Sequence, residues 1–253
     1  MSYTDELGLL LQAALRAGDI HLSGRPSPES IHHKQDRSPV TEVDRRCEAL
    51  IRDILLTRYP RDGFMGEESG AVQGSSGRRW IVDPVDGTRP FIRGIPTHSV
   101  LIALEDEQEL VCAAIHLPAL KETYWAEKGI GAFCNGKPIH VSTTGSLNRA
   151  MGSGLGFVEQ CEEKNGKKLF SLMKKWDYTY GFMDAYSYAC VASGKIDACV
   201  NLLDKPWDCA AGACIVSEAG GRFSDIRGEN TIFNDTIVLS NSVIHDQILE
   251  HFA

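Results

Sequence analysis

The 253-residue chain has 26 Lys and Arg against 34 Asp and Glu, a formal net charge of -8 at pH 7, with 43% hydrophobic and 24% charged residues. It is too apolar for a disordered chain, and its acids are dispersed with no basic block, which excludes a nucleic-acid surface built on clustered Lys and Arg. No apolar run approaches the roughly 18 residues of a membrane span. The start, Met1 to Gly18, mixes acids with leucines and lacks a basic leader or small-residue cleavage site, so no membrane partner and no export are expected.

At this length the chain can bury one large core or two fused halves. A first helix is predicted over 4–17, with Leu7, Leu10, Leu11, Ala14 and Leu15 on one face. Gly24 to Pro39 reads as a loop or irregular hairpin. A second helix runs from about Thr41 to Arg58, with Val43, Cys47, Leu50, Ile51, Ile54 and Leu55 as its buried stripe and Pro60 closing it. After a Gly/Ser loop from Gly70 to Gly77, Trp80-Ile81-Val82 reads as a short buried strand ending at Asp83-Pro84-Val85-Asp86-Gly87-Thr88. Strand-like runs follow at 99–104, 110–116 and 121–126, then Asn135-Gly136, a hairpin turn signal.

From about 147 helices and strands alternate: helix near 166–176 and at 184–193, strand at 196–202, helix at 207–219, strands at 221–224 and 236–240, and a terminal helix from near Val243. Strands and hairpins first, then alternation, predict an α+β half over 1–146 joined to an α/β half over 147–253. The glycines of Gly152-Ser153-Gly154-Leu155-Gly156 have the wrong spacing for a dinucleotide fingerprint and read as plain loop. Eight cysteines, at 47, 112, 134, 161, 190, 199, 209 and 214, form no CxxC pair, and several lie in apolar runs. Reduced, structural thiols and a cytoplasmic protein are expected.

Three acidic positions carry the chemistry: Glu67-Glu68, Asp83 with Asp86, and Asp208. Two carboxylates leave the end of a buried strand at Asp83 and Asp86, the place where open α/β architectures put their sites. At ~4 Å such a pair repels by roughly 4 kcal/mol at an effective dielectric of 20. A hard, oxygen-seeking cation such as Mg²⁺ or Ca²⁺ removes that penalty. Gly87 and Thr88 add backbone N–H groups at an expected helix start, a cradle for phosphate. Each acid also has an ordinary reading: a turn for Asp86-Gly87, a solvated loop for Glu67-Glu68, a helix-start acid for Asp208, and a capping-box acid for Asp44, three after Thr41. No GxSxG elbow supports a serine hydrolase.

Gly66-Glu67-Glu68-Ser69, Trp80 to Thr88, Pro206-Trp207-Asp208-Cys209-Ala210-Ala211-Gly212 closing on Glu218-Ala219-Gly220-Gly221, and Thr41-Glu42-Val43-Asp44 upstream together resemble, in order and spacing, the signatures of the inositol monophosphatase superfamily. The resemblance spans nearly the whole chain. It implies a layered α-β-α-β-α sandwich, a homodimer, and a phosphomonoesterase acting on a small phosphorylated metabolite with two to three Mg²⁺ ions. By it, Glu67, Asp83 and the Val85 carbonyl would hold one ion. Asp83 would bridge to a second, completed by Asp86 and Asp208. A weaker third would lean on Glu67, with Glu68 acting through water. Thr88 and Asp44 would orient and deprotonate the attacking water, Gly87 and Thr88 would receive the phosphate, and Lys34 could approach the metals. The C-terminal half would add Asp208 and the substrate contacts.

Thr88-Arg89-Pro90-Phe91-Ile92-Arg93-Gly94-Ile95-Pro96 looks most like the branch that dephosphorylates histidinol phosphate, a step of histidine biosynthesis, with Arg89 after the Thr. Asp184 resembles an acid of that branch facing the substrate's polar end, where a carboxylate suits a cationic amine; its ordinary reading is a helix N-cap. Pro90 and Asn201 depart from the pattern, the latter standing where both branches often place a substrate-contacting Glu. The alternatives are an inositol or sugar monophosphatase, and a metal-binding regulatory protein that kept the fold and lost turnover.

Overall fold

The computed structural model describes residues 2–24, 31–34, 38–181 and 184–253. Much of the Gly24–Pro39 stretch therefore lies outside the described residues. In chain order the elements begin with α1 (Thr4–Leu22), a short ladder of β1 (His32–His33) and β2 (Pro39–Val40), and α2 (Glu42–Arg58). They continue with β3 (Gly63–Gly66), β4 (Gly70–Val72), β5 (Arg78–Asp86), α3 (Thr88–Arg93), β6 (Ser99–Asp106), β7 (Glu109–Leu117), β8 (Glu122–Glu127), β9 (Gly131–Cys134) and β10 (Lys137–Ile139). Beyond lie β11 (Met151–Leu155), α4 (Lys164–Met173), β12 (Tyr178–Tyr180), α5 (Asp184–Ala192), β13 (Ala198–Asn201), α6 (Pro206–Glu218), β14 (Gly221–Ser224), β15 (Ile237–Asn241) and α7 (His245–Leu249).

Strands β3 to β10 form one eight-stranded sheet in the order β10-β9-β8-β7-β6-β5-β3-β4, antiparallel except where β3 runs parallel to β5. Strands β11 to β15 form a second sheet, β12-β11-β13-β15-β14. Alternation along the central strands buries both faces of the first sheet. Trp80, Val82, Ile102 and Leu104 pack against Leu10, Ala14, Cys47 and Ile51 of α1 and α2. Ile81, Leu101 and Ala103 face α5 and α6, whose other side meets Cys199, Ile237 and Leu239 of the second sheet. A third cluster joins that sheet to Leu169, Leu172 and Ile248 of α4 and α7. The layers are α-β-α-β-α. The eight cysteines are all free, six of them buried, and no helix among the described residues is long and apolar enough to cross a membrane.

Some elements differ from the sequence reading. The buried face of α1 is Leu7, Leu10, Ala13, Ala14, Ala17 and His21, while Leu15 is 48% exposed. Leu15 lies one residue past Ala14, about 100° round the helix from the stripe that meets the sheet. Gly152 to Leu155 is not loop but belongs to β11, paired in parallel with both β12 and β13. Its glycines make room: a Cβ at Gly152 would lie 2.6 Å from the Trp176 ring and one at Gly154 would lie 2.8 Å from Met173 Sδ. Glycine is poor in strands, so the pattern alone hides the strand.

Close approach also governs the central helix pair, where α6 crosses α5 at Gly212. A Cβ there would meet the buried Tyr188 ring at 2.7 Å, and Tyr188 cannot swing aside because its hydroxyl is bound to Asp204 Oδ2 at 2.8 Å. Gly212→Val is expected to cost about 2–3 kcal/mol by overpacking, read as a lower urea midpoint with an unchanged m-value.

Candidate active site

The site begins with an irregularity in β5. Asp83 pairs with Leu101 of β6 and Asp86 with Ser99, so three steps on β5 oppose two on β6. In a regular strand, residues three apart point to opposite faces. The extra residue at Pro84–Val85 is a bulge that resets the alternation: Val85 joins Trp80 and Val82 in the α1/α2-facing core, and Asp86 falls on the same side as Asp83 and Ile81. Proline is tolerated there because it has no N–H for the ladder to lose. The turn is then pinned by its own side chains. Val85 N donates to Asp83 Oδ1 at 2.9 Å, Thr88 Oγ1 to the Val85 carbonyl at 3.0 Å, and Ser99 Oγ to Asp86 Oδ2 at 2.8 Å.

Three other elements bring acids to that face. Strand β3 lies parallel to β5, and Glu67 N donates to the Val82 carbonyl at 3.2 Å, which sets Glu67 beside Asp83. Asp208 stands in the first turn of α6, its Oδ2 accepting Lys205 N at 2.9 Å. At the start of α5, Ala185 N donates to Asp86 Oδ2 at 3.1 Å, so Asp86 serves as the helix-end acceptor and the Asp184 carboxylate faces a cavity of about 460 Å³. Glu67, Asp83, Asp86, Thr88, Asp184 and Asp208 all line this cavity, as do Val85, Gly87 and Arg89.

Such crowding raises carboxyl pKa values. Burial, then the charges of Glu67, Asp86 and Asp208, hold Asp83 well above the usual range. Burial and Asp184 do the same to Asp86, and burial first of all pushes Asp208 up to about 7. The compensating charge is Lys34, whose Nζ lies 2.7 Å from both Glu67 Oε1 and Glu68 Oε1. Glu68 and Lys34 do not line the cavity; Glu68 opens on a separate groove along α2. No three His, Cys, Asp or Glu side chains among the described residues stand close enough together to share an ion. The donor set nevertheless fits a hard divalent cation: oxygen only, mutually repelling, and raised in pKa by burial first and then by neighbouring charge that an ion would neutralise.

Asp44 closes a capping box and also meets Thr88. Its Oδ2 accepts Thr41 N at 2.8 Å and Thr41 Oγ1 at 2.5 Å as a capping box on α2, while Oδ1 receives Thr88 Oγ1 at 3.2 Å. Asn201 reaches the cavity wall, but its amide is tied up. Nδ2 donates to Tyr188 Oη and Asp204 Oδ1, both at 3.1 Å, and Oδ1 accepts Leu203 N. Sequence reasoning missed Tyr188, Asp204, Glu159 and Glu48. Glu159 is a further exposed acid on the cavity lining. Glu48 binds the backbone N–H groups of Glu68 and Ser69, each at 2.8 Å, and so fixes the exit of β3. It stands one helical turn after Asp44 on the same buried face of α2, a spacing that could have revealed it.

Comparison with known proteins decides the family. The model of the inositol monophosphatase family matches residues 5–253. This chain belongs to the inositol monophosphatase family. A histidinol-phosphatase of Chlorobaculum parvum is 39% identical over 247 residues, covering 95% of this chain and 94% of that one. A fructose-1,6-bisphosphatase/inositol-1-monophosphatase of Thermotoga maritima is 36% identical, covering 83% and 81%. Among solved structures, the extragenic suppressor protein suhB of Bartonella henselae superposes with a TM-score of 0.90 at 31% identity, covering 98% of each chain. Membership of the inositol monophosphatase family makes the chain a phosphoric monoester hydrolase of a metal-dependent family, typically served by Mg²⁺.

The raised Asp208 gives a pH test in metal-free protein. Its folded pKa of about 7 exceeds the unfolded value of 3.8, so the folded state holds the extra proton between those limits, and this carboxyl destabilises the fold as pH rises through that window. Asp208→Asn keeps the oxygen that accepts Lys205 N and removes the titration. Without divalent cations it is expected to raise Tm relative to wild type most at pH 8, less at pH 5 inside that window, and little below pH 3.8.

Proposed function

We propose that the chain hydrolyses histidinol phosphate to histidinol and phosphate, using two to three Mg²⁺ ions. Glu67, Asp83 and the Val85 carbonyl would hold one ion, and Asp83, Asp86 and Asp208 a second, once Lys34 swings off Glu67. Bound there, Mg²⁺ would neutralise the phosphoryl oxygens and acidify water. The chain's own part is positioning and proton handling. Gly87 and Thr88 present backbone N–H groups to the phosphate at the start of α3. The single Thr88 hydroxyl proton has two acceptors, the Val85 carbonyl at 3.0 Å and Asp44 Oδ1 at 3.2 Å; turned to Asp44, it would pass to that carboxylate as Oγ1 accepts a proton from water. Burial raises the Asp44 pKa, which makes it a stronger base for that transfer.

The observation that carries the substrate is Asp184. Asp86 accepts the N–H of Ala185, so the Asp184 carboxylate is directed into the cavity, with burial raising its pKa. A cationic amine would restore its charged form through a charge-assisted contact, and Glu159 adds a second acid at the rim. The name of the Chlorobaculum relative supports the same substrate. A broader inositol or sugar monophosphatase is the second reading. Asn201 favours it, since its neutral amide is bound within the Tyr188–Asp204 network and adds no charge for an amine. In either case we propose a cytoplasmic enzyme, in keeping with its free cysteines, acting as a homodimer.

A substrate panel with Mg²⁺ separates the readings. Asp184→Asn is expected to lower kcat/KM on histidinol phosphate by about 1.5–3 kcal/mol, roughly 10- to 150-fold, and to affect inositol 1-phosphate far less. Equal losses on both would assign Asp184 to the general architecture, and wild-type preference for inositol 1-phosphate would reject the histidinol reading.

A further inference from the structure

The bulge that aligns Asp83 with Asp86 turns the Pro84 carbonyl out of the β5–β6 ladder, and a buried histidine from the far N-terminus receives it. His21, on the last turn of α1, lies with Nε2 3.0 Å from the Pro84 carbonyl oxygen and Nδ1 3.1 Å from Nδ1 of His98. Both rings are buried, at 3% and 6% exposure, and they pack with Phe91 of α3. Ring centroids are 5.5 Å apart for His21–Phe91, 5.2 Å for His21–His98 and 5.0 Å for Phe91–His98.

The hydrogen-bond chemistry leaves one consistent arrangement. A carbonyl oxygen only accepts, so His21 Nε2 carries the proton. Nδ1 of a neutral His21 is then an acceptor, and the proton between the rings belongs to His98 Nδ1. Burial, followed by the neighbouring His98, pushes the His21 pKa down to about 3, which keeps the ring neutral. His98 in turn precedes Ser99, whose hydroxyl holds Asp86 Oδ2 at 2.8 Å. One chain of contacts thus runs from α1 through both imidazoles to the two ends of the Asp83–Asp86 turn.

We propose that His21, set in its tautomer by His98, is a positioning residue that braces the bulged Pro84 carbonyl and thereby holds Asp83 and Asp86 on a common face for metal binding. Neither imidazole touches the cavity, so the effect passes through the backbone. Without the brace, the carbonyl loses its buried donor and the turn relaxes toward the regular pleat, which would carry Asp86 away from Asp83. The proposal rests on reading these carboxylates as the Mg²⁺ site.

Two measurements test it, one of them independent of metal. In metal-free protein, the ¹⁵N shifts of the ring nitrogens should show His21 protonated at Nε2 and bare at Nδ1, with His98 protonated at Nδ1. A His21 protonated at Nδ1 would overturn the brace. By calorimetry with Mg²⁺, His21→Phe keeps the ring volume and removes the donor, and is expected to bind the ion about 3- to 10-fold more weakly, the scale of one lost hydrogen bond. His21→Gln, which can still reach the carbonyl with an N–H, should recover most of that affinity. Unchanged Mg²⁺ affinity in the Phe variant, whatever its Tm, would reduce His21 to a structural residue and contradict the proposal. Should the Phe variant not fold, His98→Leu against His98→Asn repeats the comparison. Weaker binding in Leu alone supports the brace, and equal binding in both overturns it. Failure of the wild type to bind Mg²⁺ would instead strike the metal reading, leaving the tautomer result to judge the brace.

Discussion

The structure depends on one extra residue in a central strand. Without the bulge at Pro84–Val85, the Asp-x-x-Asp spacing would send one carboxylate into the apolar layer under α1 and α2. With it, Asp83 and Asp86 emerge together beside Glu67 and across from Asp208. The local sequence suits the irregularity. Proline has no N–H to give to the ladder, Asp83 and Thr88 bind the backbone of Val85 within the turn, and Gly87 adopts a φ of +72° where a side chain would be strained. A Cβ on Gly87 would also stand 3.0 Å from Asp184 Oδ2, so the same glycine keeps the cavity open toward the proposed substrate amine.

The second constraint is charge. Clustering carboxylates at a sheet end costs stability, and the fold offsets part of that cost by giving each acid a structural partner. Asp44 closes the capping box of α2, Asp86 accepts from the start of α5, Asp208 accepts from Lys205 ahead of α6, and Lys34 spans Glu67 and Glu68. The functional and ordinary readings of these acids are therefore not rivals. Helix N-termini are favourable places for negative charge, so the starts of α5 and α6 on the cavity, and that of α2 where Asp44 meets Thr88, both tolerate the acids and position them. Lys34 supplies, in the metal-free protein, part of the positive charge that a divalent ion would bring.

Much of this was legible in the sequence for a physical reason. Trp80 to Thr88 combines a buried strand, a residue that cannot join a ladder, and two acids, and few structures satisfy all three. The long helices and central strands announce themselves by period. What escaped lies where period and propensity mislead. Glycines in β11 serve the close approach of Trp176 and Met173 rather than flexibility, and Leu15 turned outward because small residues, Ala13, Ala14 and Ala17, hold α1 against the sheet. Tyr188, Asp204, Glu48 and His21 act through partners distant in sequence, and only the fold brings them together. Asn201 is an intermediate case: its place on the cavity wall followed from the motif, but its engagement with Asp204 and Tyr188 could not.

The central claim is that the bulged turn, β3 and α6 form one divalent-cation site that Lys34 guards in the metal-free protein. Crystals grown with Mn²⁺, which scatters anomalously, test it most directly. Manganese peaks are expected among Glu67, Asp83, the Val85 carbonyl, Asp86 and Asp208, with Lys34 Nζ withdrawn from Glu67. Peaks confined to other parts of the surface, or an intact Lys34–Glu67 pair with no ion beside Asp83, would contradict it.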